Sequence, residues 1–252
     1  MIFDSHAHYD DVQFDEDRDQ LLPCLHENGI DYITNIGCDT RTSENSVALA
    51  DKYDFMYAAV GFHPEEARRF DDEAYARIKE LLSHPKVVAL GEIGLDYHYP
   101  EVPVEVQKAV FERQLQLAEE MGKPVVIHSR DACQDTLEIV KKYKPKGVVH
   151  CFSGSAETAK EYVRMGMYIG ITGVVTFKNA RKTVEVVEVV PPEQLLIETD
   201  CPYLAPVPNR GHRNDSSNLV YTAGKIAEIR GVPVETIYAE TLENAKRLYN
   251  IK

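Results

Sequence analysis

No stretch of the 252 residues comes near the ~20 consecutive apolar residues that a membrane-spanning helix needs. The opening Met1-Ile2-Phe3-Asp4-Ser5-His6 has neither the basic segment nor the apolar core of a secretory signal. A C-x-x-C pair is also missing. The five cysteines, at 24, 38, 133, 151 and 201, are odd in number and widely spaced, which removes zinc-ribbon and thioredoxin-like motifs. Reduced thiols that mostly serve packing are therefore expected, in a cytoplasmic protein. Basic residues are scarce: 28 Lys+Arg stand against 41 Asp+Glu, for a net charge of -13. That is a poor footprint for coating duplex DNA or an anionic membrane. It leaves room for a nucleic-acid enzyme whose recognition is carried by bound divalent cations and a few local arginines. Repeats, Ser/Gly linkers and long charge runs are absent, so a single domain over 1–252 is expected. With 44% hydrophobic against 27% charged residues, such a chain can bury a sizeable core.

What is present is an alternation. Short apolar runs fall at 2–3, 32–36, 56–60, 87–90, 125–127, 147–149, 168–171 and 195–197. They are too short for helices, several are rich in Val or Ile, and they read as buried parallel strands. Helical periodicity lies between them. Residues 104–121 set Val106, Val110, Leu117 and Met121 near one face, with Phe111, Leu115 and Ala118 beside it. Segments 130–143 and 157–165 read alike, and 216–230 and 234–249 follow the last strand. Gly29, Gly122 and Gly166 stand just past helices, where a left-handed residue is wanted. This pattern predicts an α/β fold, a single (β/α)8 TIM barrel. An open doubly wound sheet is the competitor, but no G-x-G-x-x-G follows the first strand.

Active sites of such barrels lie at the carboxyl ends of the strands. Those ends carry Asp4-Ser5-His6-Ala7-His8, Gly61-Phe62-His63-Pro64, Gly91-Glu92-Ile93-Gly94, His128, His150 and Glu198-Thr199-Asp200; only the second and seventh lack an obvious ligand. His6 and His8 alternate to one side of their strand and can share a cation, with Asp4 below them as a possible acceptor. Taken alone, H-x-H fits two buried imidazoles that only hydrogen-bond. Four further ionisable groups at apolar strand ends favour metal, because an unpaired buried charge is costly. His6, His8, Glu92, His128, His150 and Asp200 are too many donors for one catalytic zinc. Two divalent ions are expected, with His6, His8 and Asp200 on one, His128 and His150 on the other, and Glu92 shared. Mixed imidazole and carboxylate donors suit Zn, Mn, Fe or Co, and Mg less selectively.

The ordered segments D-S-H-A-H (4–8), G-F-H-P (61–64), G-E-I-G-L-D-Y (91–97), I-H-S-R-D-A (127–132), H-C-F-S-G (150–154), E-T-D-C-P-Y-L-A-P (198–206) and R-G-H-R-N (210–214) resemble the TatD family of metal-dependent deoxyribonucleases, as does T-L-E-N-A-K-R-L-Y (241–249). The resemblance runs essentially end to end. It implies a divalent-metal-dependent phosphodiester hydrolase, a 3′→5′ exodeoxyribonuclease, with single-stranded DNA or 3′ ends as substrate and two metal ions (Zn, Mn, Mg or Co). The same six residues are its implied ligands, with Asp200, Glu92 and His63 as catalytic groups. Asp200 would accept a proton from the attacking water, and His63 would contact the scissile phosphate or the leaving oxygen. Arg130, Arg210 and Asn214, with His63, are expected to bind substrate. The family usually has proline soon after that asparagine; here Asp215-Ser216-Ser217 follows. A monomer without an obligate protein partner and without membrane association is expected. The rival keeps the metals and changes the bond, to an acyl substrate such as a mischarged tRNA, a lactone or an amide. No Lys at a strand end suggests a carbamylated bridge, which weakens the amide case. A degenerate, non-catalytic barrel would have lost ligands, and none is lost. Glu198 is expected to support Asp200, and Cys151 and Cys201 to pack away from the site.

Overall fold

The computed structural model describes residues 1–99 and 101–251. Eight strands follow one another in chain order in one sheet: β1 (Ile2–Ala7), β2 (Ile30–Ile36), β3 (Met56–Val60), β4 (Val87–Asp96), β5 (Val125–Arg130), β6 (Gly147–Val149), β7 (Tyr168–Ile171) and β8 (Leu195–Ile197). Helices alternate with them: α1 (Arg18–Glu27), α2 (Thr40–Lys52), α3 (Asp72–Leu81), α4 (Val104–Met121), α5 (Cys133–Tyr143), α6 (Ala156–Arg164), α7 (Arg181–Val189), α8 (Leu219–Arg230) and α9 (Val234–Tyr249). Parallel strands in this order, each followed by a helix, are the (β/α)8 barrel that the alternation predicts. Among the described residues, no helix is long and apolar enough to cross a membrane.

The chain forms two compact units, residues 1–35 with 151–252 and residues 36–150. In the first, the last strand returns to the first. Ala7 bridges Cys201, the His8 N–H donates to the Cys201 carbonyl at 2.9 Å, and the Asp200 N–H donates to the His6 carbonyl at 3.0 Å. Helix α9 clamps this seam. Its Tyr249 ring lies 5.9 Å from Phe3 and its hydroxyl donates to the Ser5 carbonyl at 3.0 Å. The Asn244 amide donates to the carbonyls of Leu195 and Pro192.

In the second unit, β4 is longer than the apolar run 87–90 indicates, because Gly91, Glu92 and Gly94 interrupt the hydrophobic pattern without ending the strand. Gly94 pairs with His128, and Asp96 with Arg130. A Cβ on Gly94 would lie 2.0 Å from the His128 carbonyl oxygen, and φ is +145° there, so both space and backbone demand glycine. Helix α4 buries Gln107, Phe111, Gln114, Leu115, Leu117 and Ala118, whereas Val106, Val110 and Met121 are only half-buried. The buried stripe is rotated from the purely apolar expectation because two glutamines close backbone gaps. Gln114 binds the N–H and C=O of Phe62, and Gln107 those of Asp96, at 2.7–3.0 Å. Helix α5 begins at Cys133 rather than near 130, since β5 runs on to Arg130 and Asp131 turns the chain at φ +54°. Gly122 takes the left-handed position after α4, as expected.

Candidate metal centre

In the first unit, β1 carries His6, fully buried, and His8 just beyond the strand end. Alternation sets both rings on one side, with their Nε2 atoms 3.1 Å apart. Asp200 Oδ1 lies 3.5 Å from His6 Nε2 and 3.4 Å from His8 Nε2. Two imidazoles and a carboxylate so spaced match the roughly 3.4 Å edge of a tetrahedron with bonds near 2.1 Å. The donor set fits a divalent transition metal. Asp200 holds φ at +57°, uncommon for a residue with a side chain, and its N–H on the His6 carbonyl fixes it there.

Asp4 lies beneath, fully buried. Its hydrogen bonds run to Thr199, Ser216 and the His6 backbone N–H rather than to an imidazole. It accepts from the Thr199 N–H (3.0 Å), the Thr199 hydroxyl (2.6 Å) and the Ser216 hydroxyl (2.6 Å). Burial pushes its carboxyl up to about 7, against those hydrogen bonds. Asp4 thus ties β1 to the Asp200 segment and to the loop that departs from the family pattern. Asn214 is buried, and its amide donates to the Thr199 and Tyr203 carbonyls. Arg210 is exposed, with its guanidinium 4.4 Å above the Phe177 ring. Glu198 is buried; its Oε1 accepts the Cys151 N–H, and Ser5 Oγ lies 3.4 Å from Oε2.

In the second unit, Glu92 sits inside β4, 3% exposed. Its Oε1 lies 2.6 Å from His150 Nε2, 2.8 Å from His128 Nδ1 and 4.0 Å from His63 Nε2. Donor atoms of His63, Glu92 and His128 all fall within 4.8 Å of one another, a second group able to hold a metal. Burial disfavours a charged His128, but hydrogen bonds to Asp96 and Glu92 outweigh it and hold the imidazole above its usual range. His63 caps the 3-10 turn Pro64–Arg69, its Nδ1 accepting from the Glu65 N–H at 3.2 Å. Burial first, and then the neighbouring His128, push its imidazole down to about 3. Arg130 is exposed at the end of β5.

Two contributors escaped the sequence. Asp96 Oδ2 lies 2.9 Å from His128 Nε2. Beyond β2, an end that seemed empty, the Gly37 carbonyl accepts the Glu92 N–H, the Cys38 carbonyl accepts the His63 N–H, and Cys38 Sγ lies 4.0 Å from Glu92 Oε2. All five cysteines are free, as expected. Cys201 is buried, but Cys24 and Cys133 are exposed on helices and do not serve packing.

Parallel strands in barrel order, with imidazoles and carboxylates grouped at their carboxyl ends, define a metal-binding (β/α)8 protein. A family model described as TatD related DNase matches residues 3–250, so the chain belongs to the TatD family. It is 45% identical to the uncharacterized metal-dependent hydrolase YabD of Bacillus subtilis, over 100% of both chains. It is 34% identical to the 3′-5′ ssDNA/RNA exonuclease TatD of Cronobacter sakazakii, over 98% of this chain and 97% of that one. Among solved structures, the TatD homologue YJJV of Escherichia coli superposes with a TM-score of 0.94 at 30% identity, covering 100% of this chain and 98% of the other. The chain is a metal-dependent hydrolase of this family.

Proposed function

We propose that this hydrolase cleaves DNA phosphodiesters, removing nucleotides from the 3′ end of a single strand, with His6, His8, Glu92, His128, His150 and Asp200 as ligands of two divalent ions. The observation that carries the reading is the donor chemistry: a His6–His8–Asp200 group and a Glu92–His128–His150 group, each of nitrogen and oxygen donors 2.6–3.5 Å apart. Paired divalent ions supply charge for the attacking and leaving oxygens and a nucleophile at neutral pH. The name of the Cronobacter relative supports the bond and the polarity.

Within this reading Asp200 takes the proton of the attacking water, and its fixed backbone aims the carboxylate without a search. His63 is the hydrogen-bond donor to the phosphate. Its Nδ1 accepts the Glu65 N–H, so in the neutral ring Nε2 bears the hydrogen, on the side facing Glu92. Arg130 and Arg210 contribute cationic contacts to the strand, and Asn214 shapes the loop that carries Arg210.

The test is cleavage of a 5′-labelled single-stranded oligonucleotide by metal-stripped protein, with Mg, Mn, Co or Zn restored singly. A metal-dependent ladder shortening from the 3′ end is expected. Two ions bound without cleavage by any metal, alongside turnover of p-nitrophenyl esters or aminoacyl-tRNA, overturns the phosphodiester reading.

A further inference from the structure

Residues 97–99 follow β4 past the candidate ligands, and two tyrosines there behave differently. Tyr97 is built into the frame: its N–H donates to the Arg130 carbonyl at 2.9 Å, and its hydroxyl donates to Asp135 at 2.7 Å. Tyr99 is 43% exposed. The Arg130 guanidinium lies 5.1 Å over its ring, and the His98 ring stands at 87° to it, with centroids 4.9 Å apart. His98 is held in turn by Asp131, 3.2 Å from its Nδ1. The ring is therefore propped by two neighbours while much of it stays open to solvent.

Like Arg210 over Phe177, Arg130 lies over an aromatic ring. Arg18, Arg77, Arg113 and Arg213 pair with carboxylates. Among the described residues, no carboxylate ion-pairs with Arg130. It follows His128 by two positions on β5, on the same side of the strand, and pairs in register with Asp96, which contacts His128. A cation with no ion-pair contact among the described residues, laid on an exposed aromatic ring one residue layer from a candidate ligand, suits a substrate that is both anionic and aromatic.

Resting on the phosphodiesterase reading, we propose that Tyr99 and Arg130 form a stacking platform for an unpaired nucleobase next to the scissile phosphate. The open tyrosine surface receives the base and the guanidinium faces the neighbouring phosphate. Each base has a π-face, so the platform is indifferent to sequence. A base within a duplex keeps its own stacking partners, so the platform selects single strands over duplex and nucleic acid over small phosphodiesters.

The test is steady-state cleavage of a single-stranded oligonucleotide and of the same strand with an abasic residue beside the cleaved linkage. Wild-type protein is compared with Tyr99→Ala, Tyr99→Leu and Tyr99→Phe. Stacking on this platform gives the wild type a KM roughly tenfold or more lower for the base-bearing strand. Tyr99→Ala and Tyr99→Leu lose that difference by raising KM on the base-bearing strand alone, with kcat little changed, and Tyr99→Phe keeps it. If the wild type cleaves both strands and Tyr99→Ala retains the full base preference, the platform is wrong and the phosphodiesterase reading stands. If the wild type cleaves neither strand with any metal, the phosphodiesterase reading fails and takes the platform with it.

Discussion

Asp96 and His128 are joined across neighbouring strands, Oδ2 to Nε2 at 2.9 Å, while the other ring nitrogen faces Glu92 Oε1 at 2.8 Å. The imidazole is held between two carboxylates, which fixes its plane. With Asp96 accepting at Nε2, the tautomer that carries hydrogen there leaves the Nδ1 lone pair free to face a cation. Asp96 is a positioning residue for a candidate ligand.

Its removal is expected to weaken metal binding. Asp96→Ala should lower affinity for the more loosely held ion by about 10- to 100-fold, read by competition with a chromogenic chelator. Far-UV circular dichroism should stay that of the wild type. Unchanged affinity in a folded variant would show that Asp96 orients nothing the metal needs.

The eight strands were legible because each is buried by helices and reads as an apolar run, and their ends were legible because ionisable groups interrupt those runs. Asp96 was missed because β4 continues through Gly91, Glu92 and Gly94, a stretch without hydrophobic rhythm. Once the strand is extended, alternation brings Glu92, Gly94 and Asp96 to one side, so the signal was present but hidden by an early strand end. The partners of Asp4 carried no such signal. Thr199 and Ser216 lie 195 and 212 residues away, and no local pattern announces a contact of that span. Gln107 and Gln114 were legible as helix residues but not as buried ones, since their burial depends on backbone groups of other segments.

Asp200 and Glu92 should separate when each is substituted. Asparagine tolerates the left-handed backbone at φ +57°, so Asp200→Asn keeps the fold and much of the metal. Loss of the proposed proton-accepting role should cut kcat by about 10²- to 10⁴-fold. Wild-type turnover would remove Asp200 from the chemistry. Glu92→Ala takes away the carboxylate shared by His128 and His150 and should reduce bound metal to one ion or none, counted by atomic emission after desalting. Two ions retained would show that Glu92 is not the shared ligand.

Gly94→Ala should be among the most damaging small substitutions. The new methyl meets the His128 carbonyl oxygen, a backbone atom that no side-chain rotation can move, at a φ that alanine avoids. A loss of more than about 2 kcal/mol in urea unfolding is expected, from combined overpacking and backbone strain. A midpoint within error of the wild type would mean that β4 and β5 can part locally without cost.

The loop after β8 is fastened to the start of the chain by Arg213, whose guanidinium donates to both carboxylate oxygens of Asp17 at 2.8 and 2.5 Å and lies 4.6 Å from the Phe14 ring centroid. The Arg213 hydrogen bonds hold the Asp17 carboxyl below its usual range, against the opposing effect of burial. A carboxylate with a depressed folded-state pKa stabilises above its unfolded value, near 3.9, and that contribution disappears as pH falls through the folded value. Asp17 is partly exposed, so screening limits the contribution to about 0.5–1 kcal/mol. Asp17→Asn should therefore lower the urea midpoint at pH 7, and less so in 1 M salt. The wild type and variant should converge once pH drops below the folded pKa of Asp17. A difference that persists undiminished in acid would mean that the asparagine perturbs packing around Phe14 rather than removing a charge pair.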